Sequence, residues 1–126
     1  VRIDRAAPKI EVEHPGEGAR FKSLVRIAGS VSDPSPASGT RSARYAIRWK
    51  LGTRCRWWEP ATAQLVHGRC GEPRWLALPD GRRWAVAIGT LAIPGDYTIL
   101  TEATDRAGNI GRGERAFRIA VDGARS

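Results

Sequence analysis

Apolar residues in this chain recur at every second position, in short stretches separated by Gly, Pro, Asp and Ser. Ile10 and Val12 alternate with charged neighbours in "KIEVE", and Val25, Ile27, Gly29 and Val31 share one side of "LVRIAGSVSD". Tyr45, Ile47 and Trp49 do the same in "RYAIRWK", with Arg44, Arg48 and Lys50 on the opposite side. "RWLAL" is a shorter apolar run, and Trp84, Val86 and Ile88 alternate with alanine in "WAVAI". Tyr97, Ile99, Thr101 and Ala103 line one side of "DYTILTEAT", and Phe117, Ile119 and Val121 one side of "RAFRIAV". A period of two with one apolar side predicts β-strands that each bury one face. No segment carries a capped helical stripe. The only helical content expected is a short turn within "EPATAQLVHG".

About seven such strands with turn signals between them predict an all-β antiparallel sandwich. "DPSPASG" (Asp33 to Gly39) reads as a loop and "DRAGN" (Asp105 to Asn109) as a tight hairpin connection. There Asp105 can accept backbone N–H groups, while Gly108 and Asn109 tolerate positive φ. Trp49 and Trp84 are in phase with apolar strand faces and belong to the expected core, whereas Trp75, heading "RWLAL", can be assigned to neither side.

Composition narrows the class. At 126 residues, 41% hydrophobic and 27% charged, the chain fits one folded domain rather than a disordered segment. It contains no methionine, so it is expected to be a piece of a longer or processed polypeptide. The longest apolar run, "WAVAIGTLAIP", is too short to span a bilayer. The formal net charge of +8 raises the question of an anionic partner such as nucleic acid, phospholipid or an acidic wall polymer. Of the 21 basic residues only Lys9, Lys22 and Lys50 are lysine, and the arginines are scattered from Arg2 to Arg125, with Arg82-Arg83 the longest run. Scattered arginine without interleaved aromatics argues against a dedicated nucleic-acid face.

Three stretches together, "AAPKIEVEHPGEG", "VRIAGSVSDPSP" and "GDYTILTEATDRAGN", resemble the bacterial immunoglobulin-like modules of secreted and surface proteins. The central "CRWW…C…PRWLAL…W" is similar to a cysteine-containing variant of such modules from high-GC Gram-positive bacteria. The resemblance spans the whole chain. It implies an immunoglobulin/fibronectin-III-like fold, an extracellular or cell-surface setting, and no catalysis or cofactor. Tyr97 then matches the tyrosine that ties a penultimate strand to its preceding loop in these folds. The stretch "SDPSPASGTRSARY" departs from the family's usual approach to the third strand. The ends "VRIDRAAP" and "RIAVDGARS" echo each other, so residues 1–7 and 123–126 are expected to be linkers around a sandwich at 8–122. In an extracellular module Cys55 and Cys70, with 14 residues between them, are expected to form a disulfide. Zinc would need two further ligands where only His67 is near.

The candidate site is that segment, "CRWWEPATAQLVHGRC". Trp57 and Trp58 are consecutive and in an extended chain point opposite ways, so only one is expected in the core. The other, beside Arg54, Arg56 and Arg69, has the makings of a sugar-stacking platform. The alternative is that it packs over the disulfide or beneath its own loop, covered by an arginine stem. Asp33, Asp105 and Asn109, with Asp4 or Asp122, are weak candidates for calcium. Glu102 and Asp105 fall on opposite faces of one strand, and His14, expected in solvent, and His67 are isolated; none of these forms a general-base pair. Two functions compete at this level. One is a non-catalytic spacer or accessory module whose partners are its neighbouring domains. The other is a polysaccharide- or cell-wall-binding module built on the Trp57/Trp58 loop. An adhesin or filament subunit, serving cell adhesion, is a third and would need an exposed or swapped strand edge.

Overall fold

The computed structural model describes residues 7–32, 40–79, 81–121 and 124–125. The Asp33 to Gly39 loop, Asp4, Asp122 and most of both expected linkers lie outside them. Strand β1 (Lys9–His14) runs antiparallel to the second half of β2 (Ala19–Ser32), with Ile10 opposite Val31. The other edge of β2 takes β7 (Arg83–Leu91), also antiparallel, with Ile27 opposite Val86. These three strands make the smaller layer. The larger layer centres on β8 (Gly95–Asp105), which lies between β9 (Ile110–Ile119) and β3 (Thr40–Leu51). From β3 the layer continues to β4 (Arg54–Glu59) and β5 (Gln64–Gly68). The two-residue β6 (Leu76–Ala77) takes the same edge of β3 beyond the end of β4. The start of β2 crosses over to pair in parallel with β9, and β10 (Ala124–Arg125) pairs in parallel with β2.

The pairings β1-β2-β7 and β9-β8-β3-β4 are those of an immunoglobulin/fibronectin-III-like sandwich. Its core is built by the expected alternation. Leu24, Ile27, Trp84 and Ile88 come from one layer; Tyr45, Ile47, Trp58, Tyr97, Ile99, Phe117 and Ile119 come from the other. Each such side chain, taken wholly out of water, stabilises the fold by about 1.5–3 kcal/mol. Tyr97 and Phe117 are opposite each other in the β8–β9 ladder, and their rings stack at 5.0 Å. On the open side, β1 lies directly against β9. A Cβ on Gly111 would sit 1.7 Å from the Pro8 carbonyl oxygen, so only glycine permits this approach. Arg115 donates to the Val12 carbonyl across the same seam at 2.5 Å.

Four expectations change. Val25 does not share a face with Ile27: the β2–β7 register shifts between Leu24 and Arg26, turning Leu24 inward and leaving Val25 exposed. Val121 lies past the end of β9 and is 84% exposed. "EPATAQLVHG" holds no helix; it is the turn and second strand of the β4–β5 hairpin. "RWLAL" contributes only the two residues of β6, because β4 already occupies the neighbouring stretch of the β3 edge.

Candidate functional site

The segment between the cysteines begins as a hairpin. β4 pairs with β5 so that Cys55 faces Gly68, Trp57 faces Val66 and Trp58 faces Leu65. Pro60 to Ala63 close the turn, with the Ala63 N–H donating to the Pro60 carbonyl and Ala63 at φ 53°. Alternation along β4 then separates the two indoles. Trp58 enters the core, and its N–H donates to the Ile88 carbonyl of β7 at 2.7 Å, tying the layers together. Trp57 stands on the outer face, as does Cys55 two residues earlier.

Both indoles are nonetheless buried, Trp57 at 2% exposure and Trp58 at 0%. The expectation of one solvent-facing indole is therefore corrected, and the physical reason is the chain that follows β5. To reach β6 from β5 it must cross β4, and residues Arg69 to Trp75 do so as a strap on the outer face. The Cys55–Cys70 disulfide fastens the strap to β4. The Trp57 N–H donates to the Arg69 carbonyl at 3.1 Å, and Arg48 donates to the Cys70 carbonyl at 3.3 Å. Gly68 makes room: a Cβ there would lie 2.5 Å from Cδ1 of Trp57. Arg74 pairs with Glu59 at 2.5 Å and holds the far end of the strap. This is the packing alternative weighed against the sugar platform, with the strap itself as the cover.

The neighbouring arginines do not converge. Arg56 reaches over Trp49, 5.3 Å from its ring centroid, on the side of the sheet opposite Trp57. Arg54 is exposed at the start of β4, and Arg69 is exposed and pairs with Glu72 at 3.6 Å. The Trp49 N–H is engaged by the Pro94 carbonyl at 3.2 Å. Trp49, placed in the core by its phase, is only partly buried and packs at the core's margin, whereas Trp84 is fully inside.

The remaining candidates are structural. The Tyr97 hydroxyl donates to the Ile93 carbonyl at 2.6 Å, and burial raises its pKa well above the usual value near 10. Burial raises the pKa of Tyr45 as well. Asp105, fully buried, organises the β8–β9 turn: its carboxylate accepts the Asn109 backbone N–H at 2.8 Å and the Asn109 side-chain amide at 3.1 Å. Gly108 takes positive φ there, while Asn109 does not, since Ala63 is the only described non-glycine residue with positive φ. Of the calcium candidates, Asp33 lies outside the described residues, and Asp105 and Asn109 bond to each other. Among the described residues no group of three His, Cys, Asp or Glu is placed to hold a metal. His14 is half-buried beside Phe21 rather than solvated, and burial followed by the nearby Arg26 charge lowers its pKa. His67 is exposed on β5, a different element.

One group of side chains escaped the sequence reading. Across the outer face of the larger layer, Arg112, Glu102 and Arg44 are cross-strand neighbours on β9, β8 and β3. The Glu102 side chain is 8% exposed and accepts from Arg44 at 2.6 Å through one oxygen and from Arg112 at 3.1 Å through the other. The Arg44 guanidinium lies over the Trp75 ring at 4.4 Å. Glu102 and Arg112 could be paired by counting outward from the "DRAGN" turn. Nothing local links them to Arg44 or Trp75.

The strand order and the tyrosine tie define the class, an immunoglobulin/fibronectin-III-like module. No family model matches the sequence, and no curated protein matches it. Among solved structures, the fibronectin(III)-like modules of Clostridium thermocellum CbhA align over 94% of this chain at 13% identity and TM-score 0.47. The chain spans about half of that structure, 48% of its length. CopC from Methylosinus trichosporium OB3b aligns over 89% of this chain and 92% of its own, at 13% identity and TM-score 0.48. Murine CRIg aligns over 89% and 95%, at 11% identity and TM-score 0.40.

Proposed function

We propose that this chain is a non-catalytic structural or accessory module of a secreted or cell-surface polypeptide, setting the spacing and orientation of neighbouring domains. One observation carries the reading: the segment with the richest chemistry, Cys55 to Cys70, is spent on framework. Both of its tryptophans are buried, its cysteines are joined, and its hairpin is locked beneath the strap. The disulfide supports an oxidising compartment, because such bonds persist in extracellular settings and are rare in the cytosol. No helix among the described residues is long and apolar enough to cross a membrane.

The test is replacement. In the full-length polypeptide this module is exchanged for an unrelated β-sandwich of similar end-to-end span. A spacer predicts that the activities of the flanking domains survive the exchange. Loss of activity with a folded replacement would show that this module's own surface is needed.

A further inference from the structure

We infer that the outer face of the larger layer carries a binding strip for acidic polysaccharide, formed by Trp75, Arg44 and Arg112 around Glu102. The proposal goes beyond the spacer reading and does not depend on it. The strip follows from register. Arg112 faces Glu102, Glu102 faces Arg44, and Arg44 faces Ala77 of β6, two residues after Trp75. Three interstrand steps of roughly 4.8 Å place Arg112 about 14 Å from β6, the span of a short oligosaccharide rather than of one sugar.

Each member has spare valence. Glu102 spends both carboxylate oxygens on the two arginines, which fixes them side by side without screening them fully. Arg112 engages only its Nε there and is 70% exposed, so both its terminal amino groups remain for a carboxylate, a fork-to-fork match. Arg44 uses Nε and one amino group and leaves the other, at 46% exposure. Trp75 is half-buried, and its indole N–H has no hydrogen-bond partner among the described residues. One face of the ring already lies under the Arg44 guanidinium, so Trp75 contributes its free indole N–H as a donor for a sugar hydroxyl and keeps Arg44 in place. The triad of two guanidinium groups and one carboxylate leaves one net positive charge, suiting a ligand with spaced carboxylates. Trp75 is the one tryptophan that the strand pattern left unassigned. Arg82 and Arg83, the densest basic run, are exposed at the start of β7 with no aromatic contact, and they serve as the internal control.

The disulfide-intact chain is titrated with an oligogalacturonate, with its methyl-esterified counterpart of equal length, and with a single-stranded oligonucleotide of equal charge. Binding is followed by calorimetry and tryptophan fluorescence at low and high salt. The strip predicts preference for the oligogalacturonate over both controls, with a residual at high salt. Trp75→Ala and Arg112→Gln should each weaken binding at least tenfold, while Arg82→Gln/Arg83→Gln leaves it within twofold. Arg112→Gln lies on the surface and keeps the test valid if Trp75→Ala loosens the strap. Equal loss in all variants, or binding abolished by salt, would reduce the effect to general attraction by net positive charge and overturn the proposal. Tighter oligonucleotide binding would overturn the sugar assignment, and no binding would overturn the strip itself.

Discussion

Single residues set the sandwich's tolerances. Tyr97→Phe removes the hydroxyl that holds the Ile93 carbonyl while keeping the ring stacked on Phe117. The expected cost is about 1–2 kcal/mol, read as a lower denaturation midpoint with an unchanged slope. Gly111→Ala should cost more, because its methyl would meet backbone rather than a yielding side chain, and β1 must shift from β9. Protonation follows from the same burial. Tyr97 and Tyr45 have folded-state pKa values raised above 10, so the folded chain holds protons that the unfolded chain releases. Their contribution is present below pH 10 and lost as pH rises beyond it, so the denaturation midpoint should fall steeply on the alkaline side, less so in Tyr97→Phe. His14 acts in the opposite sense. Its folded pKa lies below 6.5, so the unfolded chain binds the proton more readily and stability declines as pH falls below 6.5.

At the scale of elements, the pairing of Glu102 with two arginines is a joint between strands. Glu102→Gln leaves Arg44 and Arg112 without their shared counter-charge. Because Arg112 is mostly and Arg44 about half in solvent, the loss should be about 1 kcal/mol. The strap is worth more. On chain-entropy grounds, a disulfide closing a loop of this length stabilises by about 3 kcal/mol, so Cys55→Ser/Cys70→Ser should lower stability by that order in chemical denaturation. Much of this scale was legible in the sequence. Alternation alone located β1, β3, β7, β8 and β9, and the Asp105 turn followed from residue chemistry. The β4–β5 hairpin was not legible, because "CRWWE" buries both of its faces and so shows no alternation. A strand covered on two sides by different pieces of the chain looks, locally, like any short apolar run. The bulge at Val25 was hidden for a related reason: Leu24, Val25 and Ile27 fit two phases equally well.

For the whole molecule, charge and chemistry are distributed differently from what composition suggests. Eight net positive charges do not gather around the tryptophan pair; its arginines point to different sides of the sheet. Only long-range pairing decides which polar residues meet, and the Arg44–Glu102–Arg112 group joins residues up to 58 positions apart within single bonds. That distance is why the sequence directed attention to the compact Cys55–Cys70 segment. The Cys55–Cys70 segment is framework, with Trp57 sealed by a disulfide-anchored strap. Indole N–H hydrogen exchange, followed by NMR in the oxidised and the reduced chain, tests it most directly. Trp57 and Trp58 should both be protected when the disulfide is intact, and reduction should release Trp57 while Trp58, bonded to Ile88 in the core, stays protected. Rapid exchange at Trp57 in the oxidised chain would mean that the strap does not seal it and that its outer face is open to a ligand.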